Sequence, residues 1–248
     1  MREITFELCA ETLDACVAAG EGGADRIELC SALSEDGLTP SHALIRAAVE
    51  QSGLPVYVLL RPRGGDFVYS GREFGLMRDD LLHARGLGAR GFALGLLHPD
   101  GTVDVERTRE LVALAAPLEV TFHRAFDVTP SVDAALENVI ATGCRRVLTS
   151  GGERDVVAGA AKLASLVQRA GERIAVAAGG GLRIETAGFV ATATGARHFH
   201  GSVRRRVEDG ISCGREKRGP LAEPMHVVDS ADIRAMISRL KGGGGRKA

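Results

Sequence analysis

Four times along this chain a helical stretch runs into a turn of small residues and then into an alternating apolar run. The copies are Gly23-Ala24-Asp25-Arg26-Ile27-Glu28-Leu29, Gly88-Ala89-Arg90-Gly91-Phe92-Ala93-Leu94, Gly143-Cys144-Arg145-Arg146-Val147-Leu148-Thr149 and Gly195-Ala196-Arg197-His198-Phe199-His200. In each, the glycine supplies a left-handed helix C-cap, the small residue after it allows close packing, and the β-branched or aromatic residue starts a buried strand. The copies stand 65, 55 and 52 residues apart, too far for one strand-helix unit and about right for two. A further strand is therefore expected before the first copy and inside each interval, at Ile4 to Cys9, Val56 to Arg61, Val120 to His123 and Ile174 to Ala178. Helical periodicity fills the gaps at Thr12 to Gly20, Ser41 to Ser52, Met77 to Gly86, Asp104 to Ala115, Val132 to Thr142, Asp155 to Ala170 and Ile184 to Thr194, with a last helix near Ala231 to Leu240. Eight strands alternating with helices over 248 residues predict a single α/β (β/α)8 TIM-type barrel, with a doubly wound open sheet as the alternative.

No Pro, Gly or Ser linker divides the chain, so one domain is expected over residues 1–240, followed by a disordered Gly-rich tail from Lys241 to Ala248. Charge is balanced, 31 basic against 32 acidic residues, which points to neither nucleic acid nor a membrane surface as principal partner. No apolar run reaches the ~20 residues of a spanning helix. Met1-Arg2-Glu3-Ile4 leads straight into a strand, so a cytoplasmic location is expected, and five cysteines fit reduced thiols better than a disulfide framework.

Strand alternation separates a helix-facing set from an interior set. Ile4, Phe6 and Leu8 belong under the helices, and so do Ile27 and Leu29. Thr5, Glu7 and Cys9, then Arg26, Glu28 and Cys30, point inward, which brings Glu7 near Glu28 and Cys9 near Cys30. Thr121, His123, His198, His200 and Ser202 also point in. Buried carboxylates need partners, and Arg26 and Arg61 are available. These groups serve equally as a polar core tied by ion pairs or as catalytic carboxylates.

Residues at the carboxyl ends of barrel strands carry function in this fold. In Arg61-Pro62-Arg63-Gly64-Gly65-Asp66-Phe67, two arginines flank a proline beside a glycine pair, a way of presenting guanidinium groups to an anion. In Thr121-Phe122-His123-Arg124-Ala125-Phe126-Asp127, His123 is placed to act as acid, base or ligand, with Arg124 and Asp127 close by. Gly179-Gly180-Gly181 and the Gly201-Ser202 turn follow the last two strands, where such barrels cradle phosphate on backbone N–H groups.

Ala24 to Cys30, Gly37-Leu38-Thr39-Pro40-Ser41, Arg61 to Phe67, Thr121 to Asp127 and Leu148-Thr149-Ser150-Gly151-Gly152 together resemble the copper homeostasis protein family CutC, from about Glu3 to Ser202. The resemblance implies a cytoplasmic TIM-type barrel that self-associates as a dimer or tetramer, with Cu(I) held by the two cysteines that correspond to Cys9 and Cys30. Thiolates are the soft ligands Cu(I) selects. Cys16, Cys144 and Cys213 are poorer candidates. The alternative is an enzyme of lyase or isomerase type acting on a small anionic or phosphorylated metabolite. It would use His123, Glu7, Glu28 or Asp66 for acid-base work, and Arg61, Arg63, Arg124, Asp127, Gly179, Gly180, Gly181, His200 and Ser202 for binding. Schiff-base chemistry is disfavoured, since the only lysines, Lys162, Lys217, Lys241 and Lys247, end no strand.

Overall fold

The computed structural model describes residues 4–207 and 225–242. Eight parallel strands close into a barrel: β1 (Thr5–Ala10), β2 (Arg26–Leu29), β3 (Val56–Leu59), β4 (Gly91–Leu94), β5 (Glu119–Phe122), β6 (Arg146–Thr149), β7 (Ala175–Gly179) and β8 (His198–Gly201), with β8 paired back onto β1. Around them lie α1 (Leu13–Gly22), α2 (His42–Gln51), α3 (Gly71–Gly86), α4 (Val105–Ala115), α5 (Val132–Thr142), α6 (Ala160–Ala170), α7 (Ile184–Thr194) and α8 (Ser230–Gly242). The open-sheet alternative is thereby excluded. The repeated glycines do what their positions require: Gly23, Gly88, Gly143 and Gly195 all have positive φ where a helix gives way to a strand.

The alternation holds. Phe6, Leu8, Ile27, Leu29, Phe92, Phe122 and Phe199 join the helices in the main core, whereas Cys9, Cys30, Leu59 and Ala93 form a separate cluster inside the barrel. Burying each large apolar side chain contributes roughly 1.5–3 kcal/mol, so the helix-facing layer holds the fold and leaves interior positions free to be polar. Those positions include Glu7, Arg26, Glu28, Thr121, His123, Arg146 and His200, all buried.

Local chemistry moves several boundaries. The third helix begins at Gly71, well before Met77, because Ser70 and Glu73 form a reciprocal capping box there. The sixth begins at Ala160 and not at Asp155, because the Asp155 carboxylate accepts from the Val157 and Ala158 N–H groups and folds that stretch into a turn. The segment after β5, expected as a loop, is a 3₁₀ helix over Arg124–Val128. A two-stranded antiparallel sheet of β9 (Arg205–Val207) and β10 (Met225–Val227) was not foreseen. Lys241 and Gly242 belong to α8 and not to the expected tail; its remaining residues, and Cys213, lie outside the described residues. No helix among the described residues is long and apolar enough to cross a membrane.

Candidate functional site

A cavity of about 960 Å³ opens at the carboxyl ends of the strands. Cys9, Glu28, Arg61, His123 and His200 reach it from the strands, and β9, β10 and α8 close one side through Arg205, His226 and Asp232. Polar residues of the barrel interior come together through register. Glu7 on β1 lies opposite Arg26 on β2 and His200 on β8, so one carboxylate meets both basic groups. Arg26 Nε donates to Glu7 Oε2 at 2.5 Å, and His200 Nδ1 stands 2.8 Å from Glu7 Oε1. With that nitrogen engaged, His200 Nε2 faces Glu28, whose Oε1 is 3.9 Å away. Cys9 Sγ lies 3.9 Å from Glu28 Oε1 and 3.9 Å from Cys30 Sγ, and Cys30 Sγ donates in turn to the Ala10 carbonyl at 3.6 Å.

Burial works against the charge on Glu7, but the His200 hydrogen bond and the Arg26 guanidinium outweigh it and hold this carboxyl well below the usual range. At Glu28 burial wins over the lowering effect of the His200 and Arg26 charges. Burial, reinforced by the charge on Glu7, pushes it up to about 7, and its Oε2 has no hydrogen-bond partner among the described residues. Burial alone would lower the His200 imidazole; Glu28, Cys9 and Glu7 overcome that and raise it well above the ordinary value. The Cys9 thiol is pushed up by its hydrogen bond with Cys30 and by burial. Cys16 and Cys144 sit apart in the apolar core, each raised to about 12, chiefly by burial. Cys9 Sγ, a Glu28 oxygen and a His200 nitrogen all lie within 4.8 Å of one another, close enough to share an ion.

His123 differs from His200. Its Nδ1 accepts from the Ala125 N–H at 3.1 Å, so the ring proton belongs on Nε2, which has no partner among the described residues. Burial, with the charges of Arg61 and Arg124, lowers it to about 3. The group is a neutral hydrogen-bond donor, and its lone pair is spoken for. Among the described residues Arg61 pairs with no carboxylate, contrary to the need that made it a candidate partner. Its Nη1 donates to the Glu35 and Gly37 carbonyls and its Nη2 to Gly65, which pins the loops after β2 and β3 together.

Arg63 and Asp66 do not line the cavity. They bond to each other at 3.0 Å, and Arg63 also reaches Glu73, so this pair stabilises its own loop. Asp127 faces the cavity but accepts from Thr149, Ser150, Gly152 and Arg124, locking the turn after β6. Gly180 and Gly181, both with positive φ, line the cavity beside Ser202, while Gly179 lies behind them. A Cβ on Gly180 would stand 3.0 Å from the Arg124 guanidinium, so glycine there lets the arginine lie across the turn. Arg183, Arg205 and Arg206 also line the cavity. Sequence reasoning passed over them, although the run Arg204-Arg205-Arg206 directly after β8 was a readable signal.

The family model described as CutC family matches residues 4–205, nearly the whole barrel. The chain belongs to the CutC family. A CutC protein of Chromobacterium violaceum is 47% identical over 90% of both chains. The human protein named copper homeostasis protein cutC homolog is 42% identical over 83% of this chain and 76% of its own length. A crystal structure carrying the name copper homeostasis protein CutC, from Streptococcus agalactiae, superposes with a TM-score of 0.76 at 32% identity, covering 80% of this chain and 98% of that one. The CutC match ends inside β9, so β10 and α8, which complete the cavity wall, lie beyond it.

Proposed function

We propose that this CutC-family protein takes Cu(I) as cargo between Cys9 and Cys30, in a copper-homeostasis role. The observation that carries the reading is the 3.9 Å approach of the Cys9 and Cys30 sulfurs, with Cys9 lining an open cavity. With metal–sulfur bonds of about 2.3 Å, two thiolates at that separation already bracket one ion. The donor set fits a soft cation, and the His200–Glu7 contact has the form of a carboxylate orienting a metal-ligating histidine, which leaves Nε2 for the ion. Glu28, hard and raised to about 7, is the poorer ligand. An anaerobic Cu(I) titration against a chromogenic competitor tests the reading: Cys9→Ser/Cys30→Ser should lose the high-affinity site, and retention of parental affinity refutes it. A cytoplasmic location and self-association as a dimer or tetramer belong to the same reading, with cell fractionation and light scattering as their measures.

A second reading is favoured by the size of the cavity, about 960 Å³ where one ion needs a small fraction of it. A small anionic or phosphorylated metabolite would lie on Arg124, Ser202 and the Gly180-Gly181 turn, with the His123 Nε2–H as donor. Glu28 suits acid-base work at neutral pH better than His123, whose lone pair is occupied. Thermal-shift screening of phosphorylated and carboxylated metabolites, with and without copper, tests this. Stabilisation abolished by His123→Ala supports it, and a flat response over a broad panel leaves copper as the ligand.

A further inference from the structure

The opposite end of the barrel, where TIM folds are ordinarily closed for stability, also holds a cavity, of about 830 Å³. It is lined by four arginines, Arg26, Arg145, Arg146 and Arg197, against two glutamates, Glu119 and Glu172. Arg26 and Arg146 are only 8% and 3% exposed, yet Arg26 Nη2 and Arg146 Nε have no hydrogen-bond partner among the described residues, and neither does His198 Nδ1. The guanidinium nitrogens are donors without lone pairs, so whatever completes them is an acceptor. Leaving them empty and buried costs about 1–3 kcal/mol each, more when charged.

The groups are fixed in place. Both guanidinium carbons stack on the Tyr57 ring, at 5.3 and 5.7 Å from its centroid. Tyr57 in turn donates to Glu119 at 2.9 Å. The ring occupies this space only because residue 91 is glycine, where a Cβ would stand 2.2 Å from it. Arg146 also donates to Thr121 and Glu119, and Arg26 to Glu7. His198 lines the same cavity as the two arginines, and its Nδ1 is the third unpartnered atom there among the described residues.

We propose that this amino-terminal mouth is an oxyanion site, in which Arg26, Arg146 and His198 hold inorganic phosphate or the phosphoryl head of a small metabolite. The acceptor oxygens satisfy the orphaned donors, and the negative charge offsets the excess of arginine. The proposal does not rest on the copper and metabolite readings, which concern the other mouth.

Calorimetric titration of the full chain with inorganic phosphate at constant ionic strength, and in parallel with glycerol phosphate, tests it. Saturable binding is expected. His198→Ala and Arg146→Lys should each weaken it by at least about tenfold, the equivalent of one lost charge-assisted hydrogen bond. Arg183→Ala and Arg204→Ala, at the carboxyl-terminal mouth, should leave it within about twofold. Among the described residues His198 takes part in no ion pair, so its variant remains informative if Arg146→Lys fails to fold. Tighter binding of glycerol phosphate identifies a metabolite head group, and equal or weaker binding identifies the free ion. Absence of saturable binding, parental affinity in the folded His198→Ala protein, or loss on Arg183→Ala overturns the proposal.

Discussion

His123 ties stability to pH in a way that one substitution isolates. Its folded value of about 3 lies below the ordinary 6.5, because burial and the neighbouring Arg61 and Arg124 disfavour the imidazolium. The unfolded chain therefore binds the extra proton first. The contribution is fully present above about 6.5 and is lost as pH falls toward 3. Between pH 7 and pH 4.5 the linkage amounts to about 2 to 3 kcal/mol, at roughly 1.4 kcal/mol per unit of difference. His123→Gln keeps a neutral amide there and cannot titrate. The variant loses the ring packing against Phe67, centroid to centroid 5.1 Å, but that loss is the same at both pH values and cancels. Urea unfolding of both proteins at both pH values provides the comparison. The parent should lose about 2 to 3 kcal/mol more than His123→Gln on acidification. Equal losses would falsify the picture of a buried neutral histidine.

Glu7→Ala leaves the Arg26 guanidinium buried and unanswered, and should cost about 3–5 kcal/mol in chemical denaturation, whereas removing the exposed Arg173–Glu137 pair should leave the unfolding midpoint nearly unchanged. Similar effects for the two would contradict the burial argument. Cu(I) affinity should rise with pH across the neutral range, because Cys9 and His200 both hold their protons above ordinary values and must release them to ligate; a pH-independent competition titration would remove them as ligands. Gly91→Ala should cost about 1–3 kcal/mol in thermal or urea unfolding, since the new Cβ meets the Tyr57 ring at 2.2 Å; an unchanged midpoint would show that the ring moves freely.

The repeated glycine turns made the barrel legible, since each marks a helix end and a strand start from purely local chemistry. Alternation did the same for the interior: Glu7, Cys9, Glu28 and Cys30 follow from period two alone once Ile27 and Leu29 are assigned to the helix side. What alternation does not give is register between strands distant in sequence, so the meeting of Glu7 with His200, 193 residues away, was out of reach. The roles of Arg61 and Arg63 were misleading for a related reason. A loop's composition shows that guanidinium groups are present; whether carbonyls and neighbouring carboxylates of the same loops consume them is a tertiary fact. The Ser70-x-x-Glu73 capping box, by contrast, was written in the sequence and would have placed the start of α3 correctly.

Glu7 gives this barrel an unusual property. Apolar layers normally separate the two ends of such a fold, so that what happens at one mouth is not felt at the other. Here a single carboxylate spans that divide, with one oxygen on Arg26, which lines the amino-terminal cavity, and the other on His200, which lines the carboxyl-terminal one. Stripping the proton from His200 leaves Glu7 to Arg26 alone, and an anion drawing on Arg26 throws Glu7 back on His200. With both proposed ligands bound, reciprocity of linkage would make the influence of either end on the other equal in size, carried by charge through Glu7.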